Sequence, residues 1–531
     1  MRECSVLIVG GGPVGLSAAV CLGRQGIDCI VVERHASVTD HPKARGVNIR
    51  TMELFRLWGI EEEIRRRALP PGSARFIYCT TLTGPELART ADPGWDERLS
   101  PTGRTLVSQD VAEEVLLAAA RSYRGVSVDF SSEVVGLVED SGGVRATVRT
   151  TSGETGEIRA RFAIAADGAS SGTRRALGIE MEGPGLLAWC ASIYYRAELT
   201  DLVADRPAAA YLTFEDGQPT GGLFSVNGSD RWITINRLAG GNEPRPPLPT
   251  PEESVALVRR LVGRPEQPVD VLDTMIWGMG ATVAREFQRG RIFLAGDAAH
   301  RLPPTGGFGM NTGIQDAHNL AWKLALVVRG EASEELLSTY HEERHPVAQS
   351  NVAWSLNNAQ RFAKIAEVVA KGDRQEMDRM MEEQLEHLRA DGQDLGFCYE
   401  RGAVIADRSV GENDGGRRYT ASDRPGCRYP HAWIERDGRS ISTLDLFDTR
   451  FTLVTGANAG RMGQAGRALS MPLQVHQLKE EVPGAAAGRQ GAVLVRPDGH
   501  VAWRALSEPE NPAAELRAVF QQLLHQSPRS A

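Results

Sequence analysis

A glycine-rich turn inside a strand–helix–strand unit constrains this chain more than any other feature. Cys4-Ser-Val-Leu-Ile-Val9 is a short apolar run of the kind that forms a buried parallel strand. It leads into Gly10-Gly11-Gly12-Pro13-Val14-Gly15, and residues from there to about 25 repeat apolar side chains at helical spacing. A second strand, residues 28–32, ends at Glu33, with Arg34 beside it, about 20 residues beyond the last glycine. This is G-x-G-x-x-G in its proper setting, a dinucleotide cradle in which the acid meets a ribose diol. The motif alone does not separate FAD from NAD, because both present the same adenosine half.

Residues 290–323 carry a second constellation. A buried strand beginning at Arg291 stops at Gly296-Asp297, where a carboxylate can accept hydrogen bonds from sugar hydroxyls. A loop with Pro303, Pro304, Gly306, Gly307 and Gly309 follows, and then a helix with apolar Ile314, Ala317, Leu320, Ala321 and Leu324. Glycines let backbone N–H groups approach a flat or anionic ligand, and the opening helix after Met310-Asn311 aims its positive end at it.

The third motif selects among cofactors. Residues 161–174, RFAIAADGASSGTR, form a strand ending in Asp167-Gly168, in the pattern D-G-x-x-S-x-x-R. With the other two motifs in this order, the chain resembles the single-component FAD-dependent aromatic hydroxylases of the para-hydroxybenzoate hydroxylase fold. It is most similar to the actinobacterial polyketide hydroxylases and the phenol-hydroxylase relatives with an extra C-terminal domain. The resemblance covers nearly the whole chain. It implies an α/β protein with a Rossmann-like FAD-binding domain, an interleaved β-sheet substrate domain and a thioredoxin-like C-terminal domain. It also implies non-covalent FAD, with NAD(P)H and O₂ as co-substrates. The oxygen would pass to a bulky phenolic or polyketide-type ring through a flavin C4a-hydroperoxide. On a related polycyclic ketone, the same scaffold would serve Baeyer–Villiger or rearrangement chemistry, and a non-catalytic flavin-binding protein is a further alternative. No W-x-W-x-I-P halogenase signature is present.

Carried residue by residue, the resemblance assigns cofactor contacts to Gly10, Gly12, Pro13, Val14, Gly15, Glu33, Arg34, Arg45, Gln109, Asp167, Gly168, Asp297, Pro304, Gly307, Gly309, Met310 and Asn311. Arg45 lies on the flavin side and Gln109 at the ribityl chain. Arg45 and Pro304 are the residues expected to bear on catalysis: one by holding the ring or steering the hydride donor, the other by stiffening the loop against water. No second Rossmann motif exists, so the nicotinamide is expected to dock transiently at the surface and meet a mobile flavin ring. Trp189, Phe224, Trp277, Met279 and Phe308 are candidate substrate contacts by position and character, although such residues commonly serve as core. No dedicated acid–base residue stands out.

Composition limits partners. A net charge of −8 argues against a nucleic-acid partner, and no apolar run approaches the ~20 residues of a membrane span. The chain starts directly on a strand, with no leader pattern. Seven scattered cysteines without C-x-x-C suggest free or buried thiols in a reducing cytoplasm, neither a disulfide framework nor zinc. A monomer or homodimer is expected.

Along the chain, residues 1–176 read as the first part of the FAD-binding domain and 177–280 as the substrate sheet. Residues 281–400 are the return to the FAD domain with a helical connection, and 401–531 the C-terminal domain. Strands are expected at 443–454 and 492–504, the latter turning at Pro497-Asp-Gly499, and a helix at 512–526. His341-Glu-Glu-Arg-His345 matches the zinc motif H-E-x-x-H, but Pro346 is expected to disfavour helix at His345, so no metal is assigned.

Overall fold

The first apolar strand lies inside an eight-stranded sheet, where both its faces can be covered. The computed structural model describes residues 1–411, 416–469, 471 and 473–525. Strand Arg2–Val9 pairs in parallel with Cys29–Val32 on one side and Thr155–Ala165 on the other. Ile292–Leu294 extends the sheet in parallel beyond Thr155–Ala165. All three motif strands therefore stop at the same edge. The carboxyl ends of parallel strands form the crevice where α/β sheets bind ligands.

A second eight-stranded sheet stands over that edge. Its centre is the long antiparallel pair Met181–Arg196 and Asp270–Ala284, flanked by Arg231–Gly240, Gln218–Ser225 and Ala210–Glu215. Two of its strands come from residues 1–176, the stretch read as the first part of the FAD-binding domain. Phe76–Cys79 pairs in parallel with Ala210–Glu215, and Glu86–Arg89 pairs with it in turn. His300–Arg301, from the expected return segment, closes the opposite edge against Asp270–Ala284. The chain thus enters the second sheet three times, at residues 76–89, at 181–284 and at 300–301.

Helix Thr339–Lys371 runs without interruption through His345 and Pro346, contrary to the expected break. Just before that proline, buried Glu343 and Arg344 pair with Lys323 and Asp316, tying this part of the helix to helix Phe308–Val328. The His341 and His345 rings lie 4.8 Å apart, both packed on Phe287. Among the described residues, no group of three or more His, Cys, Asp or Glu could hold a metal ion. Nor is any described helix long and apolar enough to cross a membrane.

The C-terminal sheet has the order Leu473–Gln477, Phe451–Thr455, Ala492–Val495, Val501–Ala505, with helices Gly460–Ala468 and Pro512–Leu523. The expected strand at 443–454 is instead a 3₁₀ turn, Thr443–Leu446, followed by strand Phe451–Thr455. Ser442 caps the turn reciprocally with Asp445, a local bonding pattern that competes with extended backbone. Of the glycine-rich stretch around 407–425, residues 412–415 lie outside the described residues. Phe451, Leu453, Trp503 and Phe520 join the same apolar core as Val6, Leu16 and Leu320. Cys398 and Cys427 form a disulfide, which corrects the expectation of free thiols throughout. Their pairing brings together segments 29 residues apart with no spacing signature.

Candidate active site

The cradle is shaped by what side chains would displace. Gly10 has φ +104°, and a Cβ there would sit 2.4 Å from the Ala166 carbonyl oxygen. A Cβ on Gly15 would lie 1.9 Å from the Gly10 carbonyl oxygen, so helix Pro13–Arg24 rests directly on the strand end. Gly12 caps that helix without a side-chain hydrogen bond, and Pro13 sits in its first turn, where an N–H is not needed. The first-turn N–H groups thus face the cleft with no side-chain acceptor from the cap. Glu33 accepts from Gly11 N at 2.7 Å and from His35 N at 2.8 Å, which fixes its carboxylate at the cleft wall. Arg34 stands exposed at the rim.

Asp167 and Asp297 occupy neighbouring strand ends. Thr173 N donates to Asp167 Oδ2 at 3.0 Å, whereas Oδ1 is buried without a protein partner. Gly168 lines the cleft beside it. Asp297 opens onto the cleft, and the protein packed around it pushes its carboxyl above the usual range despite His300, Arg301 and Lys43. Behind it, Gly296 N donates to Asp316 Oδ2 at 3.2 Å, and His300 Nε2 lies 2.6 Å from the same oxygen. Burial works against the Asp316 charge, but His300 and Arg344 prevail and hold its carboxyl low. Val14 packs its methyls against Gly296, joining the first motif to the last.

The loop and helix close the cleft's inner end. Gly307, left-handed at φ +71°, caps helix Phe308–Val328, again without a side-chain acceptor. Asn311 Oδ1 accepts from Asn48 N at 3.0 Å, and its Nδ2 donates to Gly46 O at 2.9 Å, anchoring the segment that carries Arg45. Gln109 accepts from Ala44 N at 3.3 Å and donates to Glu113 at 2.7 Å. Gly309, Met310, Pro303 and Pro304 line the cleft. The Arg45 guanidinium stacks 3.8 Å above the Phe224 ring, and its Nε is buried without a partner. With no carboxylate of the described residues paired to it, burial pushes its pKa down to about 9.

The cleft has a volume of about 2680 Å³. Trp189, Phe224, Trp277 and Met279 line it. Phe308 does not: it is buried, with its ring against Gly306. Motif reasoning missed the rest of the wall. Phe76 and Leu212 face the cleft from the second sheet, and Asn358, Phe362 and His387 from two helices. Elsewhere in the cleft, His41 joins Asp273 at 2.8 Å and Ser192 at 3.2 Å, while Arg231 bonds Asp110 and the Tyr194 hydroxyl. None of these lies in a glycine or acid motif; for the helical residues the only sequence signal was apolar periodicity, which reads as core.

The family profile described as FAD binding domain matches residues 3–355, and that described as aromatic-ring hydroxylase, C-terminal, matches 422–527. The 4-methyl-5-nitrocatechol 5-monooxygenase of a Burkholderia species is 35% identical over 98% of both chains. The tetracenomycin A2 monooxygenase-dioxygenase of Streptomyces glaucescens is 35% identical over 98% of this chain and 97% of its own. The structure of the flavin-dependent monooxygenase PieE in complex with FAD and substrate superposes with a TM-score of 0.90, at 30% identity, covering 99% of each chain. The chain belongs to the FAD-dependent aromatic-ring hydroxylases, and it is an FAD-dependent monooxygenase. The residues present suit that cofactor. The glycine cradle would be filled by any side chain at Gly10 or Gly15, Asp167 Oδ1 lacks a protein donor, and two helix N-termini open on one cleft.

Proposed function

We propose that the protein hydroxylates a bulky phenolic or polyketide-type ring with NAD(P)H and O₂. One oxygen atom enters the product as hydroxyl, the other leaves as water, and NAD(P)H supplies the two electrons. The observation that carries this reading is continuity: the dinucleotide cradle and an apolar chamber walled by Phe76, Leu212, Phe224 and Phe362 open into a single cleft. At about 2680 Å³, the cleft exceeds the ~300–1,000 Å³ of an ordinary small-molecule site. That is room for a large cofactor and a multi-ring substrate together.

Bound FAD supplies electron transfer from NAD(P)H and activation of O₂. Gly10 to Val14 would hold the diphosphate on helix N–H groups, Glu33 the adenosine ribose with Arg34 outside it, and Gln109, Asp167 and Asp297 the sugar-alcohol chain. Gly307, Gly309, Met310 and Asn311 would place the positive end of helix Phe308–Val328 against the negative charge of the reduced cofactor. Pro304 keeps the loop stiff where water must be excluded. Trp189, Trp277 and Met279 wall the same cleft, and Phe224 carries Arg45 above it. Among the described residues no carboxylate pairs with this guanidinium, so it is placed to hold the ring edge or attract the nicotinamide dinucleotide.

Anaerobic mixing of the holoenzyme with NADPH or NADH tests the reading. Bleaching of the flavin band, accelerated by a phenolic ligand, is the expected result; no bleaching with either nucleotide contradicts it. In the same experiment Arg45→Ala should slow reduction by about tenfold, the equivalent of roughly 1.4 kcal/mol of lost contact, and spare the later reaction with O₂. Unchanged reduction with an impaired oxygen reaction would move Arg45 to the oxidative half.

A further inference from the structure

The seven cysteines divide into five thiols and one disulfide, and the disulfide stands where two buried arginine networks meet. Burial raises the five free thiols, Cys4, Cys21, Cys29, Cys79 and Cys190, well above the ordinary range, so they stay protonated and inert at neutral pH. Cys398 differs: it is half-buried beside the exposed Gly396, while its partner Cys427 is buried. The two pair across an isolated antiparallel bridge that belongs to no ladder, so the sulfur link keeps the two segments in register. The next residue on each arm reaches into the FAD-binding body. Beside Cys398, the Tyr399 hydroxyl accepts from Arg344 Nη1 at 3.3 Å, and Arg344 Nε donates to Asp316 Oδ1 at 2.8 Å. Asp316 Oδ2 accepts from Gly296 N at 3.2 Å, directly before Asp297. Beside Cys427, Arg428 Nε donates to Glu53 Oε2 at 3.0 Å, on the helix capped by Asn48, whose N–H bonds Asn311. Arg344, Asp316, Arg428 and Glu53 are all buried.

We propose that Cys398 and Cys427 are a reversible thiol–disulfide modification site that tightens FAD binding when closed and loosens it when open. The closed bridge fixes Tyr399 and Arg428 relative to each other. Through them it supports the Asp316–Gly296 and Asn48–Asn311 contacts, which seat the cleft-lining Asp297 and Asn311. Opening is a two-electron exchange with a dithiol. One thiolate of the reductant attacks the Cys398 sulfur, the less buried of the two, and Cys427 leaves as a thiolate that takes up a proton. The second thiol of the reductant then displaces Cys398, which is released as a thiol, and the reductant ends as its own disulfide. Hydrogen peroxide reverses the change. It oxidises Cys398 to the sulfenic acid and is itself reduced to water; Cys427 then attacks that sulfur, a second water leaves, and the bridge re-forms.

The test treats native holoenzyme with dithiothreitol, removes the reductant without air, and follows three quantities. Alkylation after denaturation, read by peptide mass, should label Cys398 and Cys427 only in the treated sample. The FAD dissociation constant should rise by about tenfold, the weakening that follows loss of one hydrogen bond to a charged group. The melting temperature should fall, because the open chain regains the freedom of the loop between the two cysteines. Hydrogen peroxide should restore both values. Cys398→Ser should show the open-state values from the start and respond to neither reagent. Cys427→Val, which keeps an apolar side chain at the buried position, should behave alike; if it fails to fold, treated wild type and Cys398→Ser decide the matter. Label on Cys398 and Cys427 without reductant, a bridge that resists dithiothreitol in the native protein, or an FAD affinity unchanged by opening would each overturn the proposal. Neither NAD(P)H nor substrate is present, so the outcome does not depend on the hydroxylase reading.

Discussion

Gly15→Ala is expected to produce protein that purifies without FAD. The added Cβ would lie 1.9 Å from the Gly10 carbonyl oxygen, a clash between backbone and methyl that no rotamer relieves. The helix must lift from the strand, and with it go the N–H groups of its first turn and the support for Gly11, whose own N–H bonds Glu33. Overpacking of this kind costs about 1–3 kcal/mol in stability. The cofactor, which needs the undistorted cradle, should weaken by about a hundredfold or more. Gly12→Ala is the control. Its Cβ would come no nearer to the described protein than 4.0 Å, to Glu113 Oε1, so that variant should keep the apoprotein melting temperature and lose only affinity. The ratio of flavin to protein absorbance, with apoprotein melting curves, checks both. A Gly15→Ala protein that is as yellow and as stable as wild type would mean the cradle is not packed as described.

Glu343→Ala should destabilise the fold by about 3–5 kcal/mol, the typical result of removing one partner from a buried ion pair. Its carboxylate accepts from Lys323 Nζ at 2.8 Å, from both terminal nitrogens of Arg496 at 2.8 Å, and from Ala403 N at 2.8 Å. All three charged side chains are fully buried, and they join two helices of the FAD-binding body to the C-terminal hairpin that carries Arg496 and Asp498. Burial opposes the Glu343 charge, but Arg496 and Lys323 prevail and bring its pKa to about 2. A carboxylate whose pKa is lower in the folded than in the unfolded chain adds stability in full above about pH 4.5, and that stability is lost as pH falls toward 2. Burial, in turn, pushes the Lys323 pKa down to about 8 despite Glu343. Urea titrations should therefore show a wide gap between wild type and Glu343→Ala at pH 7 that narrows by pH 3. A gap independent of pH would assign the loss to packing and not to charge.

The three cofactor motifs were legible because each is local. Gly10 to Glu33, Asp167-Gly168 and Gly296 to Asn311 each state a strand end, a turn and a helix start within one short window. What was illegible depends on distant partners. Phe76–Cys79 looks like any apolar tetrad, and only its parallel pairing with Ala210–Glu215 places it in the second sheet. Asn358, Phe362 and His387 sit on amphipathic helices whose periodicity reports burial but not a cavity beside it. Phe308 misled in the opposite sense: aromatic and next to the flavin loop, it is directed inward, its ring packed against Gly306. Pro346 lies inside a continuous helix despite its local rule, and Cys398 found Cys427 through a strand-like bridge invisible in spacing.

The central claim is that this cleft inserts one atom of O₂ into an aromatic ring. Turnover under ¹⁸O₂ with NADPH and a panel of hydroxylated polycyclic arenes tests it most directly. The account predicts a product that has gained one labelled oxygen as a new ring hydroxyl, with one NADPH consumed per product. Label inserted beside a ketone would assign Baeyer–Villiger chemistry instead. Unlabelled product, or NADPH oxidation across the whole panel that yields only hydrogen peroxide, would contradict the account.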